Sequence, residues 1–278
     1  AHQDNGLSIT FPGEEGQRYR LGTVDIRGDL IKDKTEMLRT LKIRDEEYLN
    51  RQTMREDIVR LTDLYAEQGY AYTEINPRIN KAPTGNRIDL VLDINQGPVV
   101  YVNRVEIQGN TRTRDNVIRR DIALEEGSKF DSKALRTSTQ KLNRLDYFES
   151  VNITPKPTMR EDLLDVVVDV KEKPTGQFAV GAGYSSSDNL LFMGEISERN
   201  LFGTGNRLAL QANTSGKSTR YNLRFTNPRI YDSQVSGSLE GYDWKREYDD
   251  YTRDTLGAGF NIGHPLFEEW RIYYGYSI

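Results

Sequence analysis

The stretch that decides the fold is DVVVDVKEKPTGQFAVGAGYS, residues 165–185. Its first part alternates valine with aspartate, as a half-buried strand does, and KEKPTG then leads into a second alternating run. The composition changes at the same point. Only 10 of the aromatic residues lie before Gly176, against 17 after it, and 13 of the 23 glycines lie from Gly176 onward. We therefore expect two differently built parts that meet near residue 176.

The composition excludes several classes of protein. No stretch approaches the roughly 20 consecutive apolar residues that a membrane-spanning helix needs. The chain has no cysteine, so neither a disulfide scaffold nor a cysteine metal site is expected. With 38 basic and 42 acidic side chains, its charge does not indicate a nucleic-acid partner.

The sequence also lacks the constellations that carry catalysis. Its two histidines, His2 and His264, lie far apart, and no serine sits in a G-x-S-x-G pattern. The G-x-G pairs lie in predicted strands or hairpins without a following helix, which disfavours a nucleotide site. We expect no enzymatic activity, no metal and no cofactor.

The first part contains an internal repeat at a spacing of about 80 residues. TVDIRGD at 23–29 recurs as RVEIQGN at 104–110, and DLVLDI at 89–94 recurs as DVVVDV at 165–170. In each copy a short strand ends at a glycine, and the closing strand alternates apolar side chains with aspartate or lysine, as a sheet with one wet face does. Each copy therefore predicts the order strand, helix, helix, strand, strand.

Helical spacing predicts the second helix of each copy. The apolar positions are Met54, Ile58, Leu61 and Tyr65 in the first copy and Leu135, Leu142 and Leu145 in the second. Gly69 is expected to stop the first of these helices, and Asp131 or Ser132 is expected to be the N-cap of the second.

Two strands are expected at exposed sheet edges, around 73–79 and 149–154. An extended peptide can add to such an edge as a further strand, because main-chain hydrogen bonds make little demand on sequence. Alternatively, Pro77 and Pro155 only protect these edges against aggregation. The sequence leaves both interpretations open.

From Gly176 onward the sequence alternates with period two. In 219–226 an apolar set alternates with a polar set, namely Tyr221, Leu223 and Phe225 with Arg220, Asn222 and Arg224. A soluble sandwich also alternates, but Gly257 and Gly259 opposite an apolar face favour a membrane barrel wall. Seven strands are predicted, near 177–185, 190–199, 206–214, 218–227, 234–246, 252–263 and 269–278. Five aromatic residues are candidates for interfacial girdles, although single aromatic residues in strands are more often ordinary wall residues; they are Trp244, Trp270, Tyr273, Tyr274 and Tyr276.

Several runs carry a family resemblance. EQGYAY, VIRRD, LNRLDYFESV and VKEKPTG resemble the last two polypeptide-transport-associated (POTRA) repeats of the BamA family of outer-membrane assembly factors. GAGYSSSDN, RNLFGTGNRL, FTNPRIY and GHPLFEEWRI resemble the opening strands and hairpins of that family's barrel. The resemblance keeps its order along nearly the whole chain from Leu7.

The resemblance implies an α+β fold of β-α-α-β-β POTRA repeats, followed by an antiparallel transmembrane β-barrel that is incomplete in this chain. The expected domains are a remnant of a preceding repeat at 1–18, repeats at 19–98 and 99–175, and barrel strands at 176–278. Seven strands cannot close a barrel of the family's size. An open edge in lipid would leave backbone groups without partners, so the chain is expected to be the front part of a larger barrel.

The implied function is the assembly and insertion of β-barrel proteins in the bacterial outer membrane, with the repeats in the periplasm. The implied partners are unfolded outer-membrane proteins, accessory lipoproteins such as BamD, and outer-membrane lipid. Two alternatives remain, a two-partner secretion transporter that exports a polypeptide and a soluble periplasmic scaffold. The apparent repeat remnant at 7–19 disfavours the transporter, and the apolar strand face disfavours the scaffold.

The resemblance further implies partner-binding residues. Glu126 matches the acidic position before a glycine that contacts BamD in the family, and Arg119 and Arg120 match basic positions. Glu125 and Glu126 are predicted at the carbonyl end of a helix, where the dipole disfavours each negative charge by roughly 0.3–1 kcal/mol. Such a broken local rule can indicate a binding surface, although two solvated acids are the simpler interpretation without the resemblance.

The strand GQFAVGAGYS at 176–185 is interpreted as a lateral gate. Its predicted lipid-facing residues are Phe178, Val180, Ala182 and Tyr184, and its predicted lumen-facing residues are Gln177, Ala179, Gly181 and Gly183. Glycine in a strand interior costs roughly 0.5–1 kcal/mol, so the seam with the last strand is expected to open most easily. Without the resemblance, glycines that only make room for a bend would be the preferred interpretation.

Overall fold

The computed structural model describes residues 17–82, 85–186, 188–267 and 270–278. Apart from its last two residues, the predicted repeat remnant at 1–18 lies outside the described residues. The chain divides into two units, Ala1–Val99 and Val100–Ile278. None of the described helices is long and apolar enough to cross a membrane.

The first unit contains one three-stranded sheet and the helices packed against it. Its elements are β1 (Arg20–Gly28), α1 (Lys34–Arg39), a 3-10 turn (Lys42–Asp45), α2 (Arg51–Ala66), β2 (Glu74–Lys81) and β3 (Arg87–Asn95). β3 lies in the centre, parallel to β1 and antiparallel to β2. The fully buried core residues include Ile26, Met37, Leu61, Tyr65, Leu90 and Leu92. The predicted order of strands and helices is confirmed.

The second unit begins with the same arrangement. Its elements are β4 (Tyr101–Gln108), α3 (Asp115–Arg119), α4 (Ser132–Arg144), β5 (Phe148–Pro157) and β6 (Leu163–Glu172). β6 is central, parallel to β4 and antiparallel to β5. The carboxylate of Asp131 accepts a hydrogen bond of 2.7 Å from the backbone N–H of Lys133, so Asp131 is the N-cap of α4. β2 and β5 are edge strands of their sheets, as predicted.

One predicted helix end is wrong. α3 ends at Arg119, so Glu125 and Glu126 lie in a turn well beyond it and not at its carbonyl end. Residues after α3 instead form long-range hydrogen bonds: Ala123 N–H donates to Ser138 Oγ at 2.8 Å, and Gly127 N–H donates to the Val102 carbonyl at 2.7 Å. These tertiary contacts end the helix early, so the helix-dipole argument does not apply.

The rest of the second unit is a seven-stranded antiparallel sheet. Its strands are β7 (Gly176–Ser185), β8 (Asn189–Leu201), β9 (Asn206–Ser215), β10 (Ser218–Asn227), β11 (Ser236–Glu247), β12 (Thr252–Pro265) and β13 (Arg271–Ser277). Each strand pairs with its neighbours in sequence, and β7 and β13 are outermost. All seven predicted strands are found, with ends within two residues of prediction. Among the described residues β7 and β13 do not pair with each other, so the sheet is not closed there.

The two faces of this sheet differ in chemistry. Leu223 of β10 pairs with Leu210 of β9, on the apolar face. Arg224, on the other face, donates to Glu240 across the β10–β11 pair at 2.8 Å. Trp244 also lies on the polar face, with the guanidinium of Arg220 4.0 Å from its ring centroid. The prediction that Trp244 belongs to an interfacial girdle is therefore wrong, because its ring stacks on the guanidinium of Arg220 on the polar face.

Candidate functional site

The outer edge of β7 is the first candidate site. β7 pairs with β8 on one side and has no strand on its other side among the described residues. Phe178, Val180 and Tyr184 expose 74%, 73% and 76% of their surfaces. Backbone donors and acceptors on this edge are available for a further strand.

The register places the β7 side chains on the two predicted faces. Phe178, Ala182 and Tyr184 lie opposite Ile196, Phe192 and Leu190, which continue the apolar face, and Val180 shares that face. Gln177, Ala179, Gly181 and Gly183 lie opposite Ser197, Glu195, Met193 and Leu191. Glu195 in turn accepts a hydrogen bond of 3.0 Å from Gln211, on the polar face.

The two interior glycines of β7 are not required by close backbone packing. A Cβ atom at Gly183 would meet nothing within 4 Å, and one at Gly181 would meet only the mobile end of Met193 at 3.3 Å. Neither glycine is forced by a close backbone approach. Their effect on the strand therefore comes from missing side-chain contacts and backbone entropy.

Charged side chains hold the start of β7 against the second repeat. Asp146, which has a left-handed backbone with φ of 60°, binds both Lys173 of the linker and Arg199 of β8. The hydrogen bond from Lys173, followed by that from Arg199, lowers the pKa of Asp146 below its usual value. Thr175 also donates its hydroxyl to Glu198. The segment that enters β7 is thus fixed by three side-chain contacts.

A second group of contacts is centred on Glu172, the last residue of β6. Its carboxylate accepts hydrogen bonds from Thr111 N–H at 3.1 Å, Thr111 Oγ1 at 2.8 Å, Arg112 N–H at 2.9 Å and Thr113 N–H at 2.7 Å. Burial alone would raise the pKa of Glu172, but the hydrogen bonds from Thr113, Thr111 and Arg112 outweigh burial and lower the pKa to about 2. Glu172 therefore orders the loop 111–113.

This loop docks on the turn between β8 and β9. Thr113 Oγ1 accepts from Asn200 Nδ2 at 2.9 Å, and Arg114 N–H donates to the Gly203 carbonyl at 2.9 Å. Gly203 has φ of +70°, and a Cβ atom there would collide with the Arg112 carbonyl. Only glycine allows the turn and the loop to approach this closely.

The turn between β10 and β11 makes the next contact with the second repeat. Asp232 accepts hydrogen bonds from Asn116 Nδ2 at 3.1 Å and Arg120 Nη1 at 2.9 Å. Arg229 donates to the buried Asp121 at 2.8 Å. The bonds from Asn116 and then Arg120 lower the pKa of Asp232. Two turns of the sheet are therefore joined to one repeat by charged and neutral hydrogen bonds.

Two of the three predicted partner-binding residues lie together, and the third lies in a different environment. Arg119 is half-exposed and binds Asp115 at 2.9 Å, with Glu126 at 3.7 Å. Glu126 Oε1 also accepts from the Val105 backbone N–H at 2.9 Å, where β4 has an irregular register. Arg120 differs from both, because its side chain is only 9% exposed and faces Asp232. Arg119 and Glu126 thus share one surface, beside a cavity of about 430 Å³, while Arg120 is largely used within the chain.

Sequence reasoning missed the residues that join the second repeat to the sheet. Asp146, Glu172, Asn200 and Asp232 were not singled out, although each lies within or beside a run that carries the family resemblance. Isolated polar residues in such runs carry no periodic signal. Their role in the junction depends on partners 27 to 116 residues away, which a local pattern does not reveal.

Comparison with known proteins agrees with this architecture. The POTRA pattern described as a surface antigen variable number repeat matches residues 19–97 and 100–173, and the Omp85 superfamily domain matches residues 200–278. The chain is 36% identical over its full length to "Outer membrane protein assembly factor BamA" of Nitratidesulfovibrio vulgaris. It is 31% identical, over 96% of its length, to the protein of the same name from Neisseria meningitidis serogroup B. It covers 36% and 35% of these relatives, so it spans about a third of their length.

A solved structure shows the same fold. "The crystal structure of BamA from Haemophilus ducreyi lacking POTRA domains 1-3" superposes with a TM-score of 0.81 at 23% sequence identity, over 93% of this chain and 50% of that one. The repeats, the strand order and the matches along the whole sequence agree. The chain therefore belongs to the BamA family of the Omp85 superfamily.

Proposed function

We propose that this chain is the part of an outer-membrane β-barrel assembly factor that connects the periplasmic repeats to the barrel. The seven strands lie in the outer membrane and the repeats lie in the periplasm. The observation that carries the proposal is the free edge of β7 in a sheet with one apolar face. Relatives named as assembly factors of outer-membrane proteins support it.

In this proposal β7 is one side of a lateral gate, formed by Phe178, Ala179, Val180, Gly181, Ala182, Gly183 and Tyr184. An unfolded outer-membrane protein adds a strand to the free edge, and main-chain hydrogen bonds supply the affinity. The contacts of Asp146 and Glu198 hold the start of β7 in place. The glycine-containing part, residues 178–184, makes no such charged contact among the described residues and separates from the last barrel strand when the gate opens. The process needs no catalytic group, cofactor or nucleotide, and the apolar face contacts outer-membrane lipid.

The repeats collect clients and accessory lipoproteins. β2 and β5 are edge strands; β2 contains Pro77 in its middle, and β5 contains Pro155 near its end and finishes at Pro157. Extended client segments add beside these prolines, at the edge positions with free main-chain groups. An accessory lipoprotein such as BamD binds the surface formed by Arg119 and Glu126, while Arg120 supports that surface from the side of Asp232.

Site-specific crosslinking tests the gate. Cysteine replaces Ala179 or Gly183 in the full-length protein, with Ala209 on the same face of β9 as the matched control. A client stalled during insertion should crosslink through its terminal strand to positions 179 and 183 but not to 209. Crosslinks confined to β9, β10 or β11 would exclude β7 as the gate.

A glycine-to-valine double variant tests the weakness of the strand. Gly181→Val with Gly183→Val should strengthen the seam and slow client insertion into proteoliposomes without lowering barrel stability, because a Cβ atom at Gly183 meets nothing within 4 Å and one at Gly181 meets only the flexible end of Met193. Unchanged insertion kinetics would show that the glycines do not set the rate.

A charge-specific variant tests the lipoprotein surface. Glu126→Gln removes the charge but keeps an oxygen that accepts from Val105 N–H, whereas Glu126→Lys also removes this hydrogen bond and destabilises the repeat. We expect Glu126→Gln to weaken retention of the lipoprotein in a pull-down from the full complex, and Glu125→Gln to leave it unchanged. Full retention by Glu126→Gln would contradict the assignment.

A further inference from the structure

A basic cavity lies where the second repeat meets the turn after β10. Its volume is about 220 Å³. The charged residues that line it come from the end of α3, the last turn of α4, the start of β9 and the turn after β10; they are Arg120, Asp121, Lys141, Arg144, Arg207 and Arg229. Five of these six are cationic.

The acidic groups nearby neutralise only part of this charge. Asp121 is bound by Arg229 at 2.8 Å, and Arg120 is bound by Asp232 at 2.9 Å. Lys141, Arg144 and Arg207 form no ion pair with any carboxylate in the described part of the chain. In addition, Arg120 Nε is buried and has no hydrogen-bond partner among the described residues, in a side chain that is 9% exposed.

A simpler reason for the charge accounts for only two of the five cations. Lys141 and Arg144 lie in the last turn of α4, where cations interact favourably with the helix dipole. That effect does not explain why Arg207 and Arg229 converge on the same cavity from the sheet. The three cations that have no ion pair among the described residues, Lys141, Arg144 and Arg207, repel each other and the neighbouring arginines. An anion bound in the cavity offsets this repulsion.

We propose that this cavity binds a phosphate group, either as free phosphate or as part of an anionic phospholipid headgroup. Guanidinium groups donate in a planar fork that matches two phosphate oxygens, and lysine adds a point charge. Arg207 lies on the polar face of the sheet, opposite Thr226, and lines the cavity from that face. The bound phosphate bridges the repeat and the barrel strands and strengthens their junction.

Calorimetric titration of the full-length protein in a non-ionic detergent tests the site. The probes are inorganic phosphate, dihexanoyl phosphatidylglycerol and, as the zwitterionic reference, dihexanoyl phosphatidylcholine. Lys141→Gln with Arg144→Gln should weaken binding about tenfold, because two charge-assisted hydrogen bonds are lost in a partly exposed site. Lys133→Gln with Arg136→Gln removes the same charge from the first half of α4 and should leave the affinity unchanged.

The probes separate the two sources of the phosphate. Saturable binding of inorganic phosphate that the double variant weakens supports the site and identifies a water-borne ligand, and binding of phosphatidylglycerol alone identifies a lipid. Raising the salt concentration should weaken either one. Absence of binding by both anions, or binding that the two double variants change equally, overturns the proposal. If the double variant does not fold, Lys141→Gln alone replaces it, with an expected loss of about threefold.

Discussion

The carboxylate of Glu172 offers the sharpest test of how the second repeat is joined to the sheet. Four hydrogen bonds from the loop 111–113 converge on it, and Thr113 of this loop and the following Arg114 carry the contacts to Asn200 and Gly203. Glu172→Gln keeps the shape of the side chain but removes its charge. We expect the loop to open more often, because hydrogen bonds to a charged acceptor are about twice as strong as neutral ones.

The magnitude follows from the pKa of Glu172. Its value of about 2, against 4.5 for the ordinary group, corresponds to at most about 3 kcal/mol of stability at neutral pH. Since the side chain is only partly buried, screening by solvent reduces this to about 1.5–2 kcal/mol. The depressed pKa means that the contribution is complete above pH 4.5 and is lost as the pH falls from 4.5 to 2.

Hydrogen exchange measured by mass spectrometry on the full-length protein provides the assay. At pH 7 the peptide that covers residues 109–114 should exchange about 10- to 30-fold faster in Glu172→Gln than in the parent protein. The difference between the two proteins should shrink as the pH falls from 4.5 to 2. Glu161→Gln, at an exposed turn of the same repeat, is the matched control. Equal exchange of the 109–114 peptide in Glu172→Gln and in the parent protein would refute the reasoning.

Three further predictions concern the stability of the repeats and of β7 and the closure of the barrel. Asp131→Ala removes the N-cap bond to Lys133 N–H and should lower the free energy of unfolding of the repeat by about 1 kcal/mol in urea titrations; an unchanged midpoint would show that the cap is not needed. Gly109→Ala forces a side chain into a backbone with φ of +86° and should cost about 1–3 kcal/mol, whereas Gly183→Ala should be tolerated, as thermal melting can show. The isolated span 1–278 should not migrate as a compact, heat-modifiable monomer on detergent gels, because both outer strands leave main-chain groups without partners in lipid. Heat-modifiable migration would overturn the expectation that this sheet needs more strands.

Local periodicity was enough to predict most of the architecture. The two-residue alternation located all seven strands of the large sheet, because one apolar face fixes which residues point together. The helical spacing of Met54, Leu61 and Tyr65 predicted α2, and all three side chains are buried in its core. Gly28 and Gly109 end their strands with positive φ in both repeats, as their matched positions indicated.

The sequence was misleading where distant partners decide the conformation. A helix that continued to Glu126 would satisfy local propensity, but it would remove Leu124 from the core and Gly127 N–H from the Val102 carbonyl. The chain therefore leaves the helix after Arg119. The same turn gives Glu126 its acceptor role toward Val105 N–H, so this carboxylate stabilises the repeat, in contrast to the unfavourable charge expected at a helix end.

The junction residues could not have been predicted because acids with opposite roles look alike in sequence. Asp232 and Asp249 both follow a strand in a polar turn, yet Asp232 binds Arg120 of the second repeat, whereas Asp249 is 90% exposed and binds Lys217 of a neighbouring turn. The difference arises from the position of each turn, because the turn of Asp232 lies at the end of the sheet nearest the repeat. An acid in a strand connection therefore becomes informative only once the strand order shows which end of the sheet it occupies.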